Sequence, residues 1–349
     1  MALGLARTRS TQPTAPRMTA CELELSIALS DNERTRPLIE GRVAPQGIRL
    51  VPTMVHPSEM FWRQLRFSEF DVSEMSMSSL IISISRGETR WVGIPVFTMR
   101  KFFHTSIIVR NAAGIAVPSD LRGKRIGVPE YQQTWAIWAR GILQHEFGVH
   151  PREIEWFMER NPDKSHGGAT GFTAPQGVRV HQIAPTSNIG EMLVRGELDG
   201  ALHYLVDKNL VDRSTADISG ITRNLFPDPA AEGRRYFAKT GLFPINHGVV
   251  VRRSLLEKHP WIALNLFSAF VAAKETIAQC GNSYLHWYFE TGLLDESVER
   301  TLKGNDPLAY GVKASRAVLE TITQYVHEQG LCARRVALEE IFAPSTMDL

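Results

Sequence analysis

His104 and His247 are the side chains best suited to move a proton near neutral pH, because imidazole ordinarily titrates in that range. His247 follows Phe243-Pro244-Ile245-Asn246 and precedes a strand-like run, Val249 to Val251, which puts it at a strand edge. Arg100 can grip a carboxylate through two parallel N–H donors. Ser76, Ser78 and Ser79 follow a brief strand, Phe70-Asp71-Val72, and their hydroxyls can donate to the same group. Glu74 and Glu130 can orient an imidazole or accept from a hydroxyl. Each also has a plainer reading. Arginine beside Lys101 suits a solvated surface, strand-edge histidines are often structural, and serine-rich turns cap helices.

Residues 121–143 concentrate hydrogen-bonding groups at a helix start. Ile126 and Val128 alternate as in a half-buried strand, which Pro129 stops. Trp135, Trp138 and Ile142 then fall at i, i+3, i+7, the stripe of an amphipathic helix. Between them stand Glu130, Tyr131, Gln132, Gln133 and Thr134, where unpaired N–H groups and the helix dipole favour an anion. An ordinary strand-to-helix connection with solvated polar groups is the alternative.

Composition narrows the field. The 349 residues allow two domains, each with its own core. A net charge of +2, with Lys and Arg scattered, gives nucleic acid no basic stripe to bind. Cys21, Cys280 and Cys332 are odd in number and far apart, which speaks against a disulfide framework or a close-paired zinc site. His145 and His150 have the wrong spacing for ligands on one helix face, although His and carboxylate side chains together with ligand oxygens would still leave a divalent ion open. RGKRIG is not a Walker A sequence, and no dinucleotide fingerprint or nucleophile elbow occurs. No run of about 18 apolar residues spans a membrane. Residues 1–20 lack a signal peptide's apolar run, and Met18 can serve as a second start, so a cytoplasmic location is expected. Oligomeric state is open, homo-oligomer included.

Strand-like and helix-like segments alternate throughout, the mark of an α/β protein. Strands are expected at 23–29, 48–53, 91–97, 105–109 and 200–206, and helices at 57–66 (with Ser58 as N-cap) and 189–196. SEMSMSS (73–79) and the Gly-rich 167–177 read as loops. Residues 261–278 read as a buried helix, being apolar almost all round, and another helix ends near Gly330. Val117-Pro118-Ser119-Asp120 is a turn signal. The order suggests an inserted domain with crossings near 112–118 and 220–245: an extension at 1–21, a first domain of 22–115 and 225–349, and a second of 116–224. Clefts between two such domains commonly hold ligands.

Several blocks together resemble the 4,5-dihydroxyphthalate decarboxylases, relatives of bacterial solute-binding proteins. They are GVPEYQQTWAIWARGIL (127–143), GELDGAL (196–202), LFPD (225–228), TGLFPINHGVVVRR (240–253), HPWIALNLFSAF (259–270), DPLAYGV (306–312) and HEQGL (327–331), with FDVSEMSMSS (70–79) and RKFFHTSIIVR (100–110). The resemblance covers nearly the whole chain from about residue 22. It implies a two-domain periplasmic-binding-protein-like (type II) fold with a central ligand cleft. It also implies cofactor-independent decarboxylation of a hydroxylated aromatic dicarboxylate by ring protonation. The residues converging on that cleft would be His247, His104 and Glu130 for catalysis, and Arg100, Glu74, Ser76, Ser78, Tyr131, Thr134, Trp138 and Asn246 for the substrate. Two positions depart from the family pattern: Phe103 stands where Arg is frequent, and Asn246 where Met is. Losing a charge beside Arg100 would weaken the grip on a second carboxylate. A non-catalytic binding protein, and a same-fold enzyme acting on another acid, are the rival readings.

Overall fold

The computed structural model describes residues 22–206 and 209–349; the expected extension at 1–21 lies outside them. Eleven strands are described: β1 (Leu23–Leu29), β2 (Ile48–Met54), β3 (Val72–Ser76), β4 (Trp91–Arg100), β5 (Ile108–Arg110), β6 (Arg125–Val128), β7 (Glu155–Met158), β8 (Arg179–Gln182), β9 (Gly200–Ala201), β10 (Thr222–Asn224) and β11 (Ile245–Arg252). The helices before β7 are α1 (Arg36–Ile39), α2 (Pro57–Phe67), α3 (Met77–Ser85) and α4 (Thr134–Phe147). After it come α5 (His166–Thr170), α6 (Ile189–Arg195), α7 (Pro229–Thr240), α8 (Arg253–Lys258), α9 (Ile262–Glu290), α10 (Glu296–Gly304), α11 (Val312–Glu328) and α12 (Leu338–Ile341).

The strands form two sheets, β2-β1-β3-β11-β4 and β10-β5-β9-β6-β7-β8. In the first, β1 runs parallel to β2 and β3, while β11 returns antiparallel between β3 and β4. In the second, β6 runs parallel to β7 and β9, and β5 is antiparallel to β9 and β10. This is a two-sheet α/β fold. The chain changes sheet between Arg100 and Ile108, ahead of the 112–118 crossing and the boundary at 115 expected from sequence. The turn signal at 117–120 marks a short 3-10 helix, Pro118–Leu121, within the second unit.

Four other expectations are corrected. SEMSMSS is no loop: Ser73–Ser76 complete β3, every residue of which is buried, and Met77 opens α3. The loop expected at 167–177 begins as the short α5, capped by Ser165 Oγ accepting from the Gly168 N–H at 2.8 Å. A Cβ on Gly168 would come 1.5 Å from the Pro162 carbonyl oxygen, so only glycine allows this turn. Ser58 does not cap α2; His56 holds that position, and Ser58 lies inside the helix. Finally, α9 is buried only through Ile262, Ala263, Leu266, Ala269, Phe270 and Ala273, and runs on well past 278.

α4 follows a strand of the second sheet yet is rooted in the first unit. The Trp138 indole N–H donates to the Ile245 carbonyl at 2.8 Å, and Arg140 Nε donates to Gln329 at 2.9 Å. Gly141 lets the Tyr325 ring close onto the helix, where a Cβ would stand 2.1 Å from it.

Candidate active site

Four adjacent strands of the first sheet each bring a polar group to one edge. Ser30 follows β1, Glu74 lies in β3, Thr98 in β4, and His247 near the start of β11. The Glu74 carboxylate is fully buried and accepts from the Ser30 N–H (2.8 Å), Ser30 Oγ (2.7 Å), Thr98 Oγ1 (2.8 Å) and His247 Nδ1 (3.2 Å). Burial alone would push this acid up. The hydrogen bond and charge of His247, with the Ser30 donors, outweigh burial and hold it below the usual carboxylate range.

An ionised Glu74 is an acceptor only, so the His247 proton sits on Nδ1 and Nε2 is left as the acceptor. Asn246 Nδ2 donates to that Nε2 at 2.9 Å and also reaches Met99 Sδ at 3.2 Å. The β11–β4 register breaks on both sides of His247, between Ile245 and His247 and again before Val249. Such bulges turn a side chain out of the regular alternation. A Cβ on the following Gly248 would lie 2.6 Å from Met77 Sδ, so glycine suits the irregular segment.

His247 opens onto a cavity of about 600 Å³ lined by Arg34, His56, Met54, Met99 and Arg100 among others. The two arginines there touch only neutral acceptors. Arg34 donates to the Phe97 carbonyl at 3.1 Å and to that of Thr98. Arg100 donates to the carbonyls of Phe243 (3.1 Å) and Ala309 (2.9 Å) and to Ser315 Oγ (2.8 Å). Neither pairs with a carboxylate among the described residues, and each has a buried Nε with no hydrogen-bond partner. Burial first, and the charge of Arg34 second, lower Arg100 to about 10, which leaves it charged at neutral pH. Two cations without a counter-ion are what a dianion requires.

Beneath this cavity the starts of α3 and α4 meet. Their N-caps, Ser76 and Gln133, line a void of about 30 Å³ with Phe61, Arg160, His166, Asn246 and His247. Hydroxyls knit the two starts together: Thr134 Oγ1 lies 2.8 Å from Ser76 Oγ and 2.9 Å from Ser78 Oγ, which donates to the Gln132 carbonyl at 2.6 Å. Ser79 Oγ reaches His166 Nδ1 at 3.2 Å. The Phe61 ring stands edge-on to His247 at 4.7 Å and to His166 at 5.6 Å.

A second cavity of about 590 Å³, lined by Lys101, His203 and residues of the second unit, adjoins the segment over which the chain changes sheet. His203 stacks on Trp135 at 3.6 Å and Lys101 Nζ lies 4.7 Å from the same ring. Burial, then the Lys101 charge, holds His203 near 3, so it is neutral.

Of the residues singled out from sequence, His247, Asn246, Arg100 and Ser76 line these cavities, and Glu74 backs His247. Ser78 and Thr134 are spent on the hydroxyl cluster. The others serve elsewhere and line none of these cavities. Glu130 accepts from Arg160 at 3.2 Å and from the His166 and Gly167 N–H groups, and Arg160 is shared with Asp212 at 2.7 Å. His104 pairs through Nε2 with Glu232 at 2.9 Å, packed on Phe226 and Tyr236. The Tyr131 ring lies 3.6 Å from the Arg140 guanidinium, and Trp138 is the core pin described above. Arg34, Lys101, His166 and His203 were not singled out. Arg34 carried one signal: it stands in the loop just past a strand's carboxyl end, where open α/β sheets bind ligands. Among the described residues, no group of three or more His, Cys, Asp or Glu side chains is placed to hold a metal ion.

No protein-family model matches the chain. It is 32% identical over 329 residues to the 4,5-dihydroxyphthalate decarboxylase of Comamonas testosteroni, covering 94% of this chain and 98% of that one. A Pseudomonas putida protein of the same description is 35% identical over 181 residues, 52% of this chain and 70% of that one. Among solved structures, the periplasmic aliphatic sulphonate binding protein SsuA from Escherichia coli superposes with a TM-score of 0.53 at 12% identity, over 94% of this chain and 99% of that one. That likeness identifies the fold as periplasmic-binding-protein-like. With the identity to the Comamonas protein running over almost its full length, the chain belongs to the 4,5-dihydroxyphthalate decarboxylase family.

Proposed function

We propose that this protein is a carboxy-lyase that converts 4,5-dihydroxyphthalate to 3,4-dihydroxybenzoate and carbon dioxide in the cavity beneath His247. The observation that carries this reading is the Glu74–His247 pair opening onto a cavity with two arginines that lack a counter-ion. Arg34 supplies the second positive charge beside Arg100 that the departure at Phe103 had put in doubt; Phe103 itself is buried against Trp135.

The reaction consumes one proton and breaks one carbon–carbon bond. Protonated on both ring nitrogens, with Glu74 accepting from Nδ1 and the Asn246 amide turned so that its oxygen accepts from Nε2, His247 gives its Nε2 proton to the ring carbon that bears the departing carboxylate. The hydroxyl para to that carbon donates electron density to the cationic ring. The carbon–carbon bonding pair then returns to the ring as carbon dioxide leaves, and His247 is reprotonated from solvent. Arg34 and Arg100 hold the carboxylate that stays. The one that loses its charge is better placed against Met54, Val55 and Met99, where nothing stabilises the ground-state anion. The ring hydroxyls meet the electronic demand, so no organic cofactor is invoked, and the protein's part is positioning and proton transfer. A cytoplasmic location suits an enzyme of this kind.

The test is carbon dioxide release from 4,5-dihydroxyphthalate and a panel of aromatic acids, with and without chelator, by wild type and His247→Gln. Turnover by wild type that collapses in the variant supports the reading. Tight binding with no release from any acid would make the protein a binding protein, and loss of turnover with chelator would add a metal.

A further inference from the structure

The two halves of α9 have different surroundings. Its first half packs on the body through Ile262, Leu266, Phe270 and Ala273, but from Lys274 to Ala309 no described side chain is buried. At about 1.5 Å per residue, α9 continues roughly 25 Å past Ala273. A helix that ends in water is normally charged. Residues 276–294 instead contain one charged side chain, Glu290, in a chain that is 22% charged. Tyr284, Trp287 and Tyr288 share a face at i, i+3, i+4; Tyr284 and Trp287 are 66% and 67% exposed. Leu293, 73% exposed, follows the helix, and Val298 and Leu302 stand four apart on α10.

We propose that this arm, the outer half of α9 with α10, is the surface through which two copies of the chain associate. The area is of the right size. With roughly 150–250 Å² per aromatic side chain, the six residues present on the order of 600 Å² of apolar surface. A standard interface takes about 800 Å² from each partner, of which about 65% is apolar in homodimers, or roughly 500 Å². The composition selects a second copy. A two-fold contact sets a patch against itself, so the patch must not repel itself: residues 276–294 carry one charge, and on α10 Glu296 and Glu299 are matched in number by Arg300 and Lys303. A helix adapted to lipid would carry Lys or Arg beside its aromatics. None occurs between 276 and 294.

Sedimentation velocity of the full chain at low micromolar concentration tests the proposal, with Trp287→Asp and Leu302→Glu made separately so that one folding failure does not end the test. Wild type is expected to sediment as a dimer or a multiple of it. Each folded variant, judged by far-ultraviolet circular dichroism, is expected to associate at least tenfold more weakly while releasing carbon dioxide at an unchanged rate per chain. A monomeric wild type, or variants that assemble as wild type does, would overturn the proposal. So would a monomer that binds phosphatidylcholine–phosphatidylglycerol vesicles through Trp287, which would reassign the arm to lipid. Assembly is read without substrate, so failure of the decarboxylase reading leaves this result interpretable.

Discussion

The molecule contains the same histidine–carboxylate pair in two settings. Glu74–His247 lies at the edge of the first sheet with the imidazole toward a cavity, and Glu232–His104 lies where the chain changes sheet, among Phe226, Tyr236 and Arg235. In the first, the carboxylate takes three other donors from Ser30 and Thr98, so it stays ionised and accepts from His247 Nδ1. In the second, Glu232 is shared with Arg235, and burial outweighs the carboxylate to hold His104 below its usual value. One imidazole lines a cavity open to a guest. The other is kept neutral as packing. Pairing chemistry does not separate them; what each faces does.

The sharpest way to break this comparison is to remove both imidazoles in turn. His247→Gln should lower kcat by about 10²–10⁴-fold, the usual worth of a general acid–base group. His104→Gln should leave kcat within about twofold; an equal loss in both would erase the distinction. Glu74→Gln leaves His247 in place without its charged partner. A charge-assisted hydrogen bond worth about 1.5–3 kcal/mol predicts a fall in kcat of roughly 10–100-fold. Arg34→Met should raise KM for the dicarboxylate about tenfold or more and, for a monocarboxylate analogue that lacks the carboxylate that stays, far less. An equal rise for both would remove Arg34 from carboxylate recognition.

The smallest effect is on stability. His104, His166 and His203 all have values lowered mainly by burial. The unfolded chain therefore binds more protons than the fold once pH drops below about 6.5. Stability should be full above that value and decline as pH falls from 7 to 5, before the Glu74 range is reached. His104→Gln should cost about 1–2 kcal/mol at pH 7 for the lost hydrogen bond, yet flatten this decline. Thermal melts of wild type and variant at pH 5, 6 and 7 read both effects, and parallel slopes would clear His104 of the pH dependence.

The alternation of strands and helices was legible because it rests on local periodicity, and His247 showed as a strand-edge imidazole for the same reason. What each polar side chain meets was not legible, since the partners are remote. Glu232 stands 128 residues from His104, Asp212 stands 52 from Arg160, and Glu74 stands 173 from His247. Glu130 looked like a cleft carboxylate because it precedes a helix start, and it is occupied because Arg160 and the α5 N–H groups arrive from elsewhere in the chain. Arg34 was passed over for the converse reason. Asp31 and Glu33 stand beside it in the sequence, but Asp31 pairs with Arg36 and Arg34 faces the cavity. The overlong α9 escaped because an apolar composition suggests burial without saying how far the body extends beneath it.

The rooting of α4 also has a consequence during synthesis. Trp138 and Arg140 emerge from the ribosome long before Ile245, Tyr325 and Gln329, the last of these 189 residues later than Arg140. At about 5–20 residues per second, this face of the nascent helix waits roughly 10–40 s for its partners. The strands of the second sheet can pair in that interval, but α4 cannot seat until α11 and Gln329 appear. Translation speed and holdase chaperones should therefore govern the yield of active protein more than its final thermodynamic stability does.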